Sequence, residues 1–423
     1  MTAPGAIVAL SVRSLLNRRL TVGLTVFAIA ISVMLVLGVE KVRNDAKLGF
    51  ANTISGTDLI VGARSGAIQL LLYSVFRIGN ATNNISWKSY QAIAGRPDVK
   101  WTVPLSLGDS HRGYRVMGTT ADYFTHYRYA RKQTLTFAAG EAFDDVFDAV
   151  LGAEAAATLG YAVGDKIVVA HGLGVGGFSD HDDKPFTVSG ILDRTGTPVD
   201  RTVHVSLAGI EAIHVDWKGG SRVPGMTVSA DEVRDMDLTP RSITAFLVGL
   251  KSRLGAFQAL RDINAYRGEP LLAILPGVAL QELWNMMGTA EAALAVVALF
   301  VVVGGLIGML TMLLASLNER RREMAILRAV GARPAHVFAM FVSEALLITA
   351  TGCVAGLGLL YLGVLAGQPI IEAQYGIYLP INPPTVREWT ILSIILGAGT
   401  IAGFLPAFLA YRNSVADGLT VRT

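Results

Sequence analysis

Residues 318–336 read NERRREMAILRAVGARPAH and lie between two apolar runs that are each long enough to cross a bilayer. Five arginines (Arg320, Arg321, Arg322, Arg328, Arg333) stand against two glutamates (Glu319, Glu323). A short basic loop between spans stays on the cytoplasmic side by the positive-inside rule, so this stretch sets the side of the membrane for everything else. It is patterned as well as charged. Met324, Ile326, Leu327 and Val330 recur at near-helical spacing, Glu319 and Glu323 lie four apart on one face, and Gly331 with Pro334 stops the run. The pattern predicts a short amphipathic helix at the cytoplasmic surface.

Outward from this loop, residues 292–317 are uncharged over 26 positions, which in a helix reaches about 39 Å. On the other side, residues 337–366 contain one acid, Glu344, and residues 390–411 carry Pro406 before Arg412. Between these two, residues 367–389 form a short external loop with Pro380, Pro383 and Pro384, where Arg387 is balanced by Glu372 and Glu388. Near the amino terminus, Arg13, Arg18 and Arg19 precede residues 20–39, twenty positions without a charge. At about 1.5 Å per residue that run covers the roughly 30 Å of a hydrocarbon core. A cleaved signal peptide is the competing reading. The run is longer than a usual signal core, and its exit, GVEKVRNDA, lacks a small-x-small cleavage site, which favours an uncleaved helix. Four spans then place both termini inside.

The chain is 52% hydrophobic and 16% charged, with 45 glycines and a net charge of +3. The apolar residues cluster at the two ends, whereas 42–287 reads as an ordinary globular domain. The expected division is a cytoplasmic segment with the first span (1–41), an extracytoplasmic core domain (42–287), and three spans with the helical loop 318–336 (288–423). The fold class is that of an α-helical membrane protein, one span plus three, with a large α+β domain between the first and second. The small positive charge sits beside the spans and reports topology; nucleic-acid binding would need a basic face with interleaved aromatics. The lone cysteine, Cys353, lies in a span, so no disulfide holds the outer domain.

Within that domain, Ser86 is placed to cap a helix over 87–94 that Gly95 and Pro97 end. Strands are expected at 114–119, 148–151, 166–170, 186–192, 202–207 and 242–251, with helices at 153–159, 207–215 and 254–264. Residues 172–177 are glycine-rich and 179–184 polar, a loop or flap and not a phosphate cradle, because no GKS or GKT follows. Residues 221–237 form a polar excursion without a clear period. Six of the seven histidines fall in this domain. His171, His181, Asp182 and Asp183, with Asp180, are the densest set of metal-ligand types and would suit zinc. Their spacing is not diagnostic, and such polar runs are usually solvated loops, so the sequence assigns no metal. No Ser/His/Asp arrangement for a hydrolase stands out.

Glycines recur four apart inside the spans: Gly304 and Gly308, Gly352 and Gly356, Gly399 and Gly403. Such pairs let helix backbones approach closely, on one another or on a second copy; the plain alternative is that glycine is common in membrane helices. Glu344, one or two turns into its span, is either a functional intramembrane acid or one that snorkels or pairs with an arginine.

These features together resemble the FtsX-like, MacB-like ABC transporter permease family, which includes macrolide-exporter and lipoprotein-release types. Glu319, Glu323, Arg328, Gly331 and Ala332 match the family's cytoplasmic loop. LPAFLAYRNSVADGLTVR at 405–422 resembles its closing pattern, and the stretches 148–169 and 186–207 resemble its extracytoplasmic core domain. The resemblance implies a paired permease, homodimer or heterodimer, with two ATPase subunits docked on a cytoplasmic coupling helix, ATP and Mg bound on those subunits, and motion carried along the second span to the outer domain. Glu319, Arg320, Glu323, Met324, Ile326, Leu327, Arg328, Gly331 and Ala332 are the expected coupling residues, the glutamates accepting charge-assisted hydrogen bonds and Met324, Ile326 and Leu327 filling a groove. The rival reading is that the arginines only fix topology and the apolar face lies on lipid. The chain has no GxxxxGK[ST], so the ATPase is expected on a separate polypeptide and no enzyme activity here. The family resemblance places the chain in a bacterial inner membrane. A periplasmic adaptor, a substrate-binding protein and membrane lipid complete the expected partners. A same-fold signalling device that activates a cell-wall hydrolase, and an anchored receptor without any ATPase, are the alternatives.

Overall fold

The computed structural model describes residues 4–130, 132–171, 181–218, 221–222, 228–375 and 381–412. The chain forms two units. One holds residues 1–45, 288–373 and 379–423; the other holds 46–287 with 374–378.

The second unit is built on an 11-stranded mixed sheet. In chain order its strands are β1 (Leu59–Ala63), β2 (Val99–His111), β3 (Tyr114–Thr119), β4 (Phe137–Gly140), β5 (Asp148–Leu151), β6 (Lys166–Ile167), β7 (Ala170–His171), β8 (Phe186–Leu192), β9 (Thr202–Ser206), β10 (Ala245–Leu250) and β11 (Leu271–Ile274). The spatial order is β11-β1-β10-β2-β3-β9-β5-β8-β4, with β7 on β2 and β6 on β8. The β9–β3 and β8–β5 pairs are parallel, and the other pairs are antiparallel. β8 alternates buried with half-buried residues, so Phe186, Val188 and Leu192 enter one core with Val116, Val203 and Ile213, or its neighbour. β10 is buried along its whole length, as its unbroken apolar run AFLVGL requires. Gly249 within it lies flat against Trp101, where any Cβ would sit 2.1 Å from the indole.

The helices Trp87–Ala94, Ala153–Leu159 and Leu207–His214 lie where the sequence places them, and Ser86 Oγ does accept the cap bond from Ser89 N–H. The stretch read as an unpatterned excursion instead contains the helix Ala230–Arg234, opened by a capping box between Ser229 and Glu232. β1, β2, β4 and β11 are absent from the sequence reading.

Among the described residues, four helices are long and apolar enough to cross a membrane: Arg19–Lys47, Pro276–Leu317, Pro334–Gln368 and Val386–Arg412. The first three helices outrun their apolar spans. The helix carrying the first span runs Arg19–Thr53, the second Pro276–Glu319 and the third Pro334–Tyr375. The last begins on a capping box, Thr385 with Glu388, and breaks into Val386–Ala402 and Phe404–Arg412. Pro406 accounts for the break, since it has no N–H for the Ala402 carbonyl and its ring crowds that oxygen. Ile29, Val33, Leu37, Met309, Leu313, Ile348 and Ile395 fill the space between helices. Leu20, Leu24, Phe300, Ile307, Val354 and Leu362 face outward, as lipid contact demands.

Candidate coupling surface and a histidine cluster

The basic stretch is not one helix. The second span ends at Glu319, Arg320 is a turn, and a nine-residue helix covers Arg321–Ala329. That helix closes on a Schellman motif: Ala332 N–H bonds the Leu327 carbonyl at 3.0 Å and Gly331 N–H the Arg328 carbonyl at 3.0 Å. Gly331 takes φ +102, a conformation that a Cβ would strain. Pro334 then opens the third span at its first position, where a missing N–H costs nothing. Gly331 and Ala332 therefore stop and turn the chain.

Two residues expected on the docking face point inward instead. Arg320 is 4% exposed, and its Nη1 donates to both oxygens of Glu344 at 2.9 Å, while Nε reaches Glu323 at 3.2 Å and the guanidinium lies over Phe341 at 5.1 Å. Met324 is buried with Leu317, Val337, Met340, Phe341 and Ala407. A charge this close to a 2%-exposed acid is drawn in by the pairing, because neither ion tolerates burial alone. Of the alternatives for Glu344, pairing with an arginine is the geometry found. The outward face of the short helix carries Glu323, Ile326 and Val330, spaced three and four apart, with Ile326 52% and Val330 84% exposed. Leu327 and Arg328 are half-buried at its flank. The side chain of Glu319 lies outside the described residues.

The span glycines divide. A Cβ on Gly352 would meet Ile29 at 2.5 Å, on Gly356 the Ala30 carbonyl at 2.7 Å, on Gly399 Thr349 at 2.3 Å and on Gly403 Ala345 at 2.4 Å. These four sit at close helix crossings within the chain. A Cβ on Gly304 or Gly308 would meet nothing within 4 Å; it is Gly305 that faces the first span, where a Cβ would lie 3.0 Å from Ser32 Oγ, whose hydroxyl donates to the Val301 carbonyl.

In the α+β unit the weak metal candidates separate. Asp182 is exposed, and Asp183 pairs with the buried Lys184 at 3.0 Å, which also meets Asp216 at 2.9 Å. Asp180 and the glycine-rich 172–177 lie outside the described residues. His171 and His181 do come together, Nε2 to Nε2 at 3.2 Å, and are joined by His214 and Asp109, which the sequence reading did not select. Asp109 lies on β2, an unrecognised strand whose alternation over Val103, Leu105 and Leu107 is the signal available; His214 stands 33 residues from His181, beyond any spacing rule. Burial first, then the neighbouring His214 and His171, bring the His181 pKa down to about 4. Burial likewise lowers that of His214, with Asp109 pulling the other way.

The MacB-like periplasmic core domain model matches residues 22–246, more than half of the chain, and the FtsX-like permease C-terminal model matches 295–415. The macrolide export ATP-binding/permease protein MacB of Hyphomonas neptunium is 27% identical over 231 residues, 54% of this chain and 32% of that protein. The MacB of Photorhabdus laumondii is 35% identical over 131 residues, 31% of this chain and 20% of its own. The chain thus spans a third or less of the length of these curated relatives. The periplasmic region of MacB from Actinobacillus actinomycetemcomitans overlays with a TM-score of 0.32 at 11% identity, over 55% of this chain and 95% of that one. With an α+β periplasmic domain between the first and second of four apolar helices, the chain belongs to the MacB-like, FtsX-like permease family of ABC transporters.

Proposed function

We propose that this chain is the permease of an ABC system in which ATP hydrolysis below the membrane moves the periplasmic domain and so drives efflux or extraction of a periplasmic or membrane substrate such as a lipoprotein, peptide or small molecule. The membrane is the bacterial inner membrane, with both termini cytoplasmic, and ATP and Mg are held by the ATPase. The observation that carries the reading is the outward face of the Arg321–Ala329 helix. Glu323, Ile326 and Val330 are exposed there while Arg320 and Met324 anchor the other side to the third span. An anchored helix with a small apolar patch rimmed by an acid suits a protein groove. Motion has a covalent route, because the helix Pro276–Glu319 contributes residues to both units.

Pairing with a second copy is supported by the second span. Only 11% of its most apolar stretch is covered within one chain, against 33%, 39% and 33% for the other three. Gly304 and Gly308 stand on that open surface, one turn apart, where a second backbone can approach.

The test is co-purification in detergent with the cognate ABC ATPase. An Ile326→Asp, Val330→Asp double variant alters only exposed positions and is expected to lose at least 90% of the ATPase on the order set by removing two interface anchors. Retention of the ATPase at the wild-type amount removes the docking assignment.

A further inference from the structure

The α+β unit brings three imidazoles and a carboxylate to one spot through its backbone register. β7 pairs antiparallel with the end of β2, so that His171 stands directly opposite Asp109. Cross-strand partners have Cβ atoms about 5 Å apart, close enough for the carboxylate to take the ring N–H. Asp109 Oδ1 lies 2.9 Å from His171 Nδ1. With Nδ1 carrying the proton, Nε2 of His171 presents a lone pair, and it lies 3.2 Å from Nε2 of His181. The third ring, His214, ends the helix Leu207–His214, which Ser206 caps at its start. It stacks on His171 at 4.6 Å and stands edge-on to His181 at 5.2 Å. One nitrogen from each of the three rings lies within 4.8 Å of the other two.

We propose that His171, His181 and His214 form a three-histidine site for a divalent transition metal, zinc in the first instance, with Asp109 as the acceptor that orients His171. The spacing has the right scale. Zinc holds imidazole nitrogens at about 2.0–2.1 Å, which puts two ligands of a tetrahedron about 3.3 Å apart. The donor set has the right chemistry, since neutral imidazoles suit zinc and its neighbours in the first row. A carboxylate on the far nitrogen of a ligating histidine is the usual outer partner, fixing tautomer and ring orientation. Asp109 also comes within 3.9 Å of His214 Nε2, so one carboxylate faces two of the rings.

The site is enclosed and held. His181 is fully buried, its backbone N–H bonds the Val169 carbonyl at 2.9 Å, and Trp217 packs against it at 4.4 Å and against His171 at 4.9 Å. Among the described residues His181 Nδ1 has no partner, so burying this ring spends polar capacity that hydrogen bonding alone does not repay. The neighbouring cation, Lys184, is paired with Asp183 at 3.0 Å and with Asp216 at 2.9 Å. An ion here would tie β7, the segment leading into β8 and the end of a helix into one rigid cluster.

The experiment titrates Zn²⁺ into the detergent-purified, chelator-stripped full chain by calorimetry, and Co²⁺ in parallel by visible absorption. The expected result is one Zn²⁺ per chain and the intense bands of tetrahedral cobalt. His214→Phe should weaken zinc by at least about 100-fold and Asp109→Asn by about 10–100-fold, while Asp182→Asn, an exposed position, leaves binding unchanged. Absence of stoichiometric zinc, or zinc bound undiminished by His214→Phe, overturns the proposal. Should that variant fail to fold, the cobalt spectrum of the wild type decides: tetrahedral bands support the site, and an octahedral spectrum or none overturns it.

Discussion

Replacing Glu344 with leucine should destabilise the membrane unit more than any other single change around the Arg321–Ala329 helix. Glu344 and Arg320 are 3% and 4% exposed at their side chains, and one guanidinium nitrogen donates to both carboxylate oxygens at 2.9 Å. Without the acid, the guanidinium keeps Glu323, itself 65% exposed, at its Nε, with Met340 Sδ 3.5 Å from Nη2 and the Phe341 ring as uncharged neighbours. Breaking a buried pair from one side costs about 3–5 kcal/mol, because a desolvated charge is left behind. That is roughly two to four powers of ten in the folded-to-unfolded ratio. Removing both charges, Arg320→Leu with Glu344→Leu, leaves an apolar contact against Phe341 and should return to within about 1 kcal/mol of wild type. The assay is equilibrium unfolding in mixed detergent micelles with rising dodecyl sulfate, run as a double-mutant cycle. A coupling energy of at least about 2 kcal/mol is expected. A single variant within about 0.5 kcal/mol of wild type, or a double variant as unstable as the two singles added, refutes the view that this pair is a closed internal strut. Because Arg320 is also the turn between the second span and the short helix, the single variant should release that helix and weaken ATPase association as well.

Three further outcomes are expected. Gly356→Ala drives a Cβ to 2.7 Å from a backbone carbonyl of the first span, and should cost about 1–3 kcal/mol by overpacking; Gly358→Ala, with open space around it, should be neutral or stabilise by up to about 1 kcal/mol through helix propensity, and equal effects in the same micelle assay would contradict the assigned crossing. Gly304→Leu with Gly308→Leu should leave the stability of a single chain unchanged yet shift the protein from dimer to monomer in light scattering, and an unaltered dimer would place the second-copy contact elsewhere. Burial, aided by the Arg77 charge, takes the His204 pKa from 6.5 to about 3, so the unfolded domain binds a proton that the folded one excludes as pH falls below 6.5. Stability at that residue is full above this range and is lost on acidification at about 1.4 kcal/mol per pH unit; His204→Phe should flatten the pH dependence of thermal unfolding by one proton, and an identical slope would speak against a neutral buried ring.

The membrane half was legible because its signals are local. Runs without charge mark spans, so all four spans lie on the residues that composition selects. Their lengths were not legible. EKVRNDAKLGFANT after the first span is polar, yet nothing in it breaks a helix, and the helix continues to Thr53. The α+β domain was read well where short strands sit beside turn residues, as at β3, β5 and β8. β1, β10 and β11 form one buried edge region whose apolar runs lack alternation, and of these only β10 stood out by length. Ser229 and Glu232 carry the capping-box signal in the sequence, but the five-residue helix it opens is too short to show a period.

The coupling stretch shows the limit more sharply. Spacing groups Met324, Ile326, Leu327 and Val330 as one apolar set, but it cannot say that Met324, with Arg320, packs inward while Ile326 and Val330 stay exposed. That depends on Glu344 and Phe341, a full turn or more into the next span, and a one-dimensional pattern does not carry it. The histidine cluster fails to show for the same reason. His171 and His181 are near in sequence, whereas Asp109 and His214 reach them only through strand register and the end of a helix.

The central question is whether ATP turnover moves the periplasmic domain. Leu254 is 96% exposed in that domain, and Cys353 is the only native cysteine, so Leu254→Cys in a Cys353→Ala background gives one spin label per copy. Pulsed dipolar distances between the labels of two copies, in nanodiscs with the ATPase bound, should be measured without nucleotide and with a trapped ATP state. A nucleotide-dependent shift of the distance distribution, abolished by Ile326→Asp with Val330→Asp, is the predicted result; an unchanged distribution in complexes that hydrolyse ATP at the normal rate would contradict the proposed transmission.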